Sequence, residues 1–266
     1  MGKLKNRGQG MAVAPDGTLY FADSRNGRIR TVSPDGIITT VAGNGQSGWI
    51  ADGTPALSAS LTPVAVAFSP SGQLYVADEN GADGGEILRL NADGTFTRVL
   101  GASAAPGASV DSVPTDTNID PIALAFDSDG NLFVGGGAQE AGRPAMQNTL
   151  FKVTPKGAVT YPLGAFGALV SWGYGGLVTA PDGSVLAMGQ LSVTRLSGNS
   201  VQTLRSFPLS FLKLNGFSPG GIAVAPNGTV DLDSDQGNGF SWVSSIVELE
   251  PNGKAKLLWK GSKPPA

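Results

Sequence analysis

Apolar residues recur at every second position on either side of a Gly-containing turn, and this pattern returns along the chain. The turns lie in "APDGTLYFAD" at Gly17, "SPSGQLYVAD" at Gly72, "DSDGNLFVGG" at Gly130, "APDGSVLAMG" at Gly183 and "APNGTVDLDS" at Gly228. Six residues before each Gly stand Met11, Val66, Leu124, Leu177 and Ile222; four before stand Val13, Phe68, Phe126, Thr179 and Val224; two after stand Leu19, Leu74, Leu132, Val185 and Val230. All but Thr179 are apolar. A period of two is that of a strand with one face buried, and Asp-Gly or Asn-Gly between two such runs is a hairpin signal. Each copy therefore opens with a β-hairpin.

A second turn follows in every copy, at Pro34-Asp35-Gly36, Ala92-Asp93-Gly94, Pro155-Lys156-Gly157, Ser197-Gly198 and Pro251-Asn252-Gly253. Two more apolar columns precede it: Ile29, Ile87, Leu150, Val193, Ile246 and Val32, Leu90, Val153, Leu196, Leu249. The unit is thus four strands, over approximately 10–43, 62–101, 120–164, 175–206 and 218–261. A single four-stranded sheet cannot bury both faces, and radial stacking of such sheets can. The sequence predicts an all-β fold, a β-propeller of four-stranded antiparallel blades with five complete blades, in one domain over 1–266. Small residues such as Ala12, Ala65, Ala123 and Ala223 suit a crowded inner strand, and Phe126 and Leu132 are expected between blades.

The stretches "LTPVAVAFSPSGQLYVADENG" and "TVAGNGQSGWIADGTPALSASLTP" resemble the repeat and the inter-blade linker of the bacterial NHL-repeat propellers. The resemblance covers nearly the whole chain, strongest over 10–101 and weakest in the fourth copy. It implies a six-bladed form, against five units read here. Either a short N-terminal piece closes a five-bladed ring or a further blade lies upstream of Met1. Relatives of this kind include enzymes, sensor domains and scaffolds, so the likeness specifies a fold and leaves the function open.

In such a blade the first and third connections fall at one end and the second connection and inter-blade link at the other. The tight turns are all first and third connections. The long segments, 24–27, 79–85, 135–149 and 234–245 within blades and 44–61, 102–119, 165–175 and 206–218 between them, therefore gather at the opposite end. Long loops aimed by a rigid scaffold are where binding resides. This end carries Trp49, Asp52, Glu79, Asp83, Glu140, Arg143, Trp172, Tyr174, Asp235 and Trp242, and Trp joins large apolar area to a donor. The same Trp side chains equally suit covering the blade tops.

Composition narrows the chemistry. The chain has 266 residues, a formal net charge of −3 and scattered Lys and Arg, so no electrostatic footprint for nucleic acid is present. It has no Cys, which removes thiolate chemistry and disulfides, and no His, which removes the imidazole ligands and bases of propeller lyases. "DLDSDQGNG" sets Asp231, Asp233 and Asp235 in the alternation of a Ca²⁺ loop but has Gln236 and Trp242 where such a loop needs Gly and a bidentate acid, so alternation along a strand explains it better. Asp23 and Asp78 occupy equivalent places before Asn-Gly and are expected to accept from turn amides. "NGADGGE" and "GGGAQEAG" lack the Lys and Ser/Thr of a phosphate loop.

Behind the basic Met1–Arg7 there is no apolar signal core, and no later apolar run reaches membrane length. A repeat starting within ten residues of Met1 reads as a piece of a longer protein. The expectation is a monomeric, non-enzymatic module, secreted or extracytoplasmic, which inserts in no membrane, needs no cofactor and binds a protein, peptide or glycan. The alternatives are a metal-assisted hydrolase or lactonase with carboxylate and amide ligands, calcium being such a metal, and a structural or sensor repeat of a larger surface protein.

Overall fold

The computed structural model describes residues 10–79, 84–101, 118–139, 147–160, 162, 176–189, 192–206, 217–237, 242–250 and 255–263. Within them lie five antiparallel meanders. The first is β1 (Met11–Val13), β2 (Leu19–Asp23), β3 (Arg28–Val32) and β4 (Ile38–Ala42); the second is β5 (Pro63–Phe68), β6 (Leu74–Glu79), β7 (Gly85–Leu90) and β8 (Phe96–Leu100). The third is β9 (Asn118–Phe126), β10 (Leu132–Gln139), β11 (Gln147–Val153) and the short β12 (Val159–Thr160). The fourth is β13 (Gly176–Thr179), β14 (Val185–Met188), β15 (Ser192–Ser197) and β16 (Ser200–Ser206), and the fifth is β17 (Phe217–Val224), β18 (Val230–Gly237), β19 (Trp242–Leu249) and β20 (Ala255–Lys263). Each pairs in sequence order, and one bridge, Gly85 to Ile119, joins the second and third meanders.

The hairpin turns are as the sequence requires. Gly17, Gly72, Gly130, Gly183 and Gly228 all have φ between 80° and 84°, and each donates its N–H to the carbonyl three residues back. The turn acids do a repeated local job: Asp16, Asp93 and Asp182 each accept from the backbone N–H two residues on, from Thr18, Thr95 and Ser184. Hydrogen bonds from these residues hold the three carboxyls below the usual carboxylate range, the Thr18 N–H acting first on Asp16 and the Ser184 and Thr95 hydroxyls first on Asp182 and Asp93.

The core divides into four interfaces between successive meanders, which settles what the two faces of each sheet do. Val66, Leu74 and Val76 of the second meander pack on Ala12, Tyr20 and Ala22 of the first. Leu124, Phe126, Leu132 and Val134 of the third pack on Ala65, Ala67, Tyr75 and Ala77 of the second, so Phe126 and Leu132 lie between blades as their columns predict. Leu177 and Val185 of the fourth meet Ala123, Ala125 and Phe133 of the third, and Ile222, Val230 and Leu232 of the fifth meet Ala180, Leu186 and Met188 of the fourth. Each blade thus has a leading face of large aliphatic and aromatic groups and a trailing face with small residues on its first strand. Large against small lets adjacent inner strands approach closely.

A second use of Gly escapes the turn signals. Gly43 and Gly101 follow β4 and β8 with φ of 93° and 109°, and a Cβ on them would stand 2.1 Å from the Gly27 carbonyl oxygen and 2.4 Å from that of Gly85. Gly43→Ala is expected to cost about 2–3 kcal/mol, backbone strain and clash together. Gly36→Ala, at φ 83° with open space around it, should cost only about 1 kcal/mol of left-handed conformation. Urea denaturation of the two variants checks the difference.

Several segments expected as loops are strand. β10 continues through Gln139, β11 begins at Gln147, β18 reaches Gly237 and β19 begins at Trp242, so the expected 135–149 and 234–245 connections contract to 140–146 and 238–241. The 24–27 connection is a 3₁₀ turn, Ser24–Asn26, and the other among the described residues is Ala56–Ser58 in the first inter-blade linker.

Candidate functional site: the long-connection end

The two ends of the assembly differ in construction. Turns of the first and third connections abut: the Gly17 Cβ position lies 3.7 Å from the Pro34 ring and that of Gly130 3.5 Å from Pro155, and Ser128 donates its N–H to the Gly183 carbonyl across blades. That end is closed by turns. The longer connections leave from the other.

At this second end the first linker is clamped rather than free. Arg98 on β8 is buried and its Nε donates to the buried Glu86 Oε2 on β7, while Nη2 donates to the Ile50 carbonyl at 2.6 Å. The Ile50 N–H returns a 3.4 Å bond to Glu86 Oε1, and Asp52 Oδ1 accepts from the Arg98 backbone N–H at 2.8 Å. The guanidinium lies 5.7 Å from the Trp49 ring, a cation–π contact. Arg98 Nη1 and Trp49 Nε1 are both buried without a hydrogen-bond partner among the described residues. Trp49 and Asp52 therefore hold the linker across the leading face of the second blade, at its outer strands. Asp52 also stays exposed enough to meet a partner.

Glu79 is half-buried at the end of β6, its N–H donating to the Thr62 carbonyl. Asp235 lies in β18 opposite Ser218 and Ser244, and Trp242 lies in β19 opposite Gly237 and Lys263, in strands rather than loop. Asp83, Glu140, Arg143, Trp172 and Tyr174 lie outside the described residues. The alternation of Asp231, Asp233 and Asp235 is that of one strand, β18, as the pleat argument requires. The equivalent acids Asp23 and Asp78 do different things: Asp23 accepts from the Asn26 side-chain amide at 2.8 Å, and the buried Asp78 accepts from the Thr62 N–H at 2.6 Å where the linker enters β5.

Column reading missed two features here. Asp120 sits on β9, an innermost strand, where only small and apolar residues were expected; Pro121 and Ile122 beside it mask any alternation. The Glu86–Arg98 pair also went unseen, since both residues fall at positions that in the first blade are the half-exposed Arg28 and Thr40. Among the described residues, no three of His, Cys, Asp and Glu converge as a metal site would require.

Five four-stranded meanders stacked face to face through their first strands make this chain a β-propeller. Solved propellers share the arrangement: a gluconolactonase from Xanthomonas campestris superposes with a TM-score of 0.60 at 15% identity, over 96% of this chain and 75% of that one. A catalytically inactive His→Ala variant of virginiamycin B lyase from Staphylococcus aureus, with quinupristin, superposes with a TM-score of 0.55 at 13% identity, over 93% of this chain and 68% of that one. At such identities the likeness is one of fold. In sequence, a 139-residue stretch is 32% identical to teneurin-m of Drosophila melanogaster, spanning 47% of this chain and 5% of that protein. No protein-family model matches the chain.

Proposed function

We propose that this propeller is a non-enzymatic binding module whose long-connection end receives a protein, peptide or glycan. The observation that supports the reading is the asymmetry of the ends among the described residues, one closed by abutting glycine turns and the other holding the 44–61 linker with Trp49 and Asp52 on it. The virginiamycin lyase is inactivated by loss of a His, and this chain has none, so that chemistry does not transfer through the shared fold. The NHL-repeat likeness, a single domain and an extracytoplasmic, monomeric protein belong to the same proposal, and a sensor or structural repeat within a larger surface protein is a special case of it.

The test is a screen of the purified protein on glycan and peptide arrays. Trp172→Ala and Trp242→Ala are expected to weaken retained hits by about thirtyfold, the equivalent of a hot-spot loss near 2 kcal/mol, with an unchanged melting temperature. Glu79→Gln should alter mainly the salt dependence. Hits that both Trp variants retain in full would overturn the reading.

A second reading, a metal-assisted lactonase, is favoured by Asp120 on an innermost strand together with the gluconolactonase likeness. Gluconolactone hydrolysis that disappears on chelation and returns with Ca²⁺ would establish it in place of the first.

A further inference from the structure

We infer that the outer edge of β16, at the rim of the fourth blade, is a strand-addition site for an extended segment of a partner protein. The inference is independent of the long-connection reading, since it uses none of the residues on which that rests.

The second blade shows such an edge with its occupant in place. The first linker runs antiparallel along the outside of β8: Gly53 donates its N–H to the Phe96 carbonyl at 2.8 Å, Phe96 donates to the Thr54 carbonyl at 2.9 Å and Ala56 donates to the Gly94 carbonyl at 2.8 Å. Pro55 bridges Thr95 between them. One step further along, Asp52 Oδ1 takes the Arg98 N–H, where a ladder would otherwise need a carbonyl. Ile50, Ala56, Ala59 and Leu61 join Phe96 in one apolar cluster, and its ring is fully buried.

β16 occupies the same place in the fourth blade without an occupant. Leu196 opposes Val201 there as Leu90 opposes Phe96, and Thr194 opposes Thr203 as Leu88 opposes Arg98. Ser197 and Ser200 close the hairpin around a two-residue turn and so exchange ladder bonds; alternation then sends the N–H and C=O of Val201 and Thr203 outward. Among the described residues nothing takes these groups. Val201 is 44% exposed against 0% for Phe96, and Ser200, Gln202 and Thr203 are exposed with it. Both linkers of the fourth blade lie within the chain, so the bare edge owes nothing to a terminus.

The chemistry of the edge selects its ligand. Ser200, Val201, Gln202 and Thr203 include neither a charge nor Pro, the devices that keep bare edges from pairing. Outward backbone groups at alternate residues fit an extended chain, which main-chain bonds hold while a few side chains give specificity. Val201, opposite the buried Leu196, favours a small or aliphatic residue on the added strand, as Phe96 takes Ala56. The Thr203 N–H favours an acidic side chain two or three residues earlier, as Arg98 takes Asp52. The ligand is thus an extended segment with an acid ahead of small residues, of the kind that Asp52–Ala56 supplies.

The experiment offers β16 the occupant that β8 takes. A synthetic peptide of residues 50–58 with blocked ends is titrated into the full chain, and backbone amide shifts and hydrogen exchange are followed by NMR. Expected is exchange at least about fivefold slower at the Val201 and Thr203 amides, since a bonded N–H exchanges only on opening, with the amides of β8 unchanged. Methylation of the peptide nitrogen at the position of Gly53 should weaken binding about fivefold, the equivalent of one net hydrogen bond. Val201→Pro in the protein deletes an N–H that the blade itself does not use and should abolish binding with little change in melting temperature. Should that variant not fold, the methylated peptide decides alone. Shifts confined to other strands, β16 amides that the peptide leaves unaltered, or full binding by the methylated peptide would each overturn the inference. A peptide-free protein that sediments as a dimer with Val201 and Thr203 already protected would overturn it in favour of a second copy.

Discussion

Glu86→Gln lowers the stability of the protein by about 3–5 kcal/mol, because it leaves the Arg98 guanidinium buried with its charge uncompensated. The loss is read from urea denaturation followed by far-UV circular dichroism. Removing both charges together, as Glu86→Leu with Arg98→Met, should recover most of it, since a buried pair replaced by apolar groups of similar size is close to neutral. That recovery is the diagnostic part. Part of the residual deficit would come from the linker, which loses the bond from Arg98 Nη2 to the Ile50 carbonyl and the guanidinium beneath Trp49. A single-variant loss below about 1 kcal/mol, the range of surface changes, would mean that water reaches the pair.

Phe126→Ala is expected to cost about 3–5 kcal/mol through lost transfer energy and the cavity left between the second and third blades. Its ring is buried among Ala65, Ala67 and Leu132 and meets Tyr75 at 64° between planes. Phe126→Leu keeps most of the volume and should lose less than half as much. Val13→Ala removes a comparable column position on the first blade, but from a side chain already in solvent, so its cost should fall within about 0.5 kcal/mol. Equal losses at Phe126 and Val13 would show that the first blade is covered in solution.

The turns and columns were legible because they depend on local rules. A left-handed Gly between two alternating runs can do little else, and the five first-hairpin turns adopt one conformation. The strand ends were less legible for equally local reasons. "VGGGAQ" at the end of β10 has no side chains to alternate, and "DLDSDQG" on β18 has acids where the core period should show. The Glu86–Arg98 pair was illegible in principle, since the linker that buries it comes from 36 to 48 residues away and nothing in the strands announces it. Among the candidate residues, Trp49 and Asp52 occupy a loop position that suggests a partner, and the structure gives both a part in fastening the loop itself. The exposure of Met11 could not be read either, since its column is indistinguishable from the buried ones until the neighbouring sheet is in view.

Every interface described here joins meanders that follow one another in sequence. The chain closes spans of about fifty residues and nowhere, among the described residues, depends on contact between its two ends. Loop-closure entropy therefore stays low and grows by repetition instead of by length. Such a molecule can fold as it leaves the ribosome, each new meander completing the surface that the previous one presents, with the trailing side of the newest blade the hydrophobic region that awaits cover. At the fifth meander that side carries Asp231, its Oδ1 buried without a hydrogen-bond partner among the described residues, beside Glu248, which pairs with Lys256 at 3.9 Å, so this face is polar where the earlier ones set an aromatic or large aliphatic group.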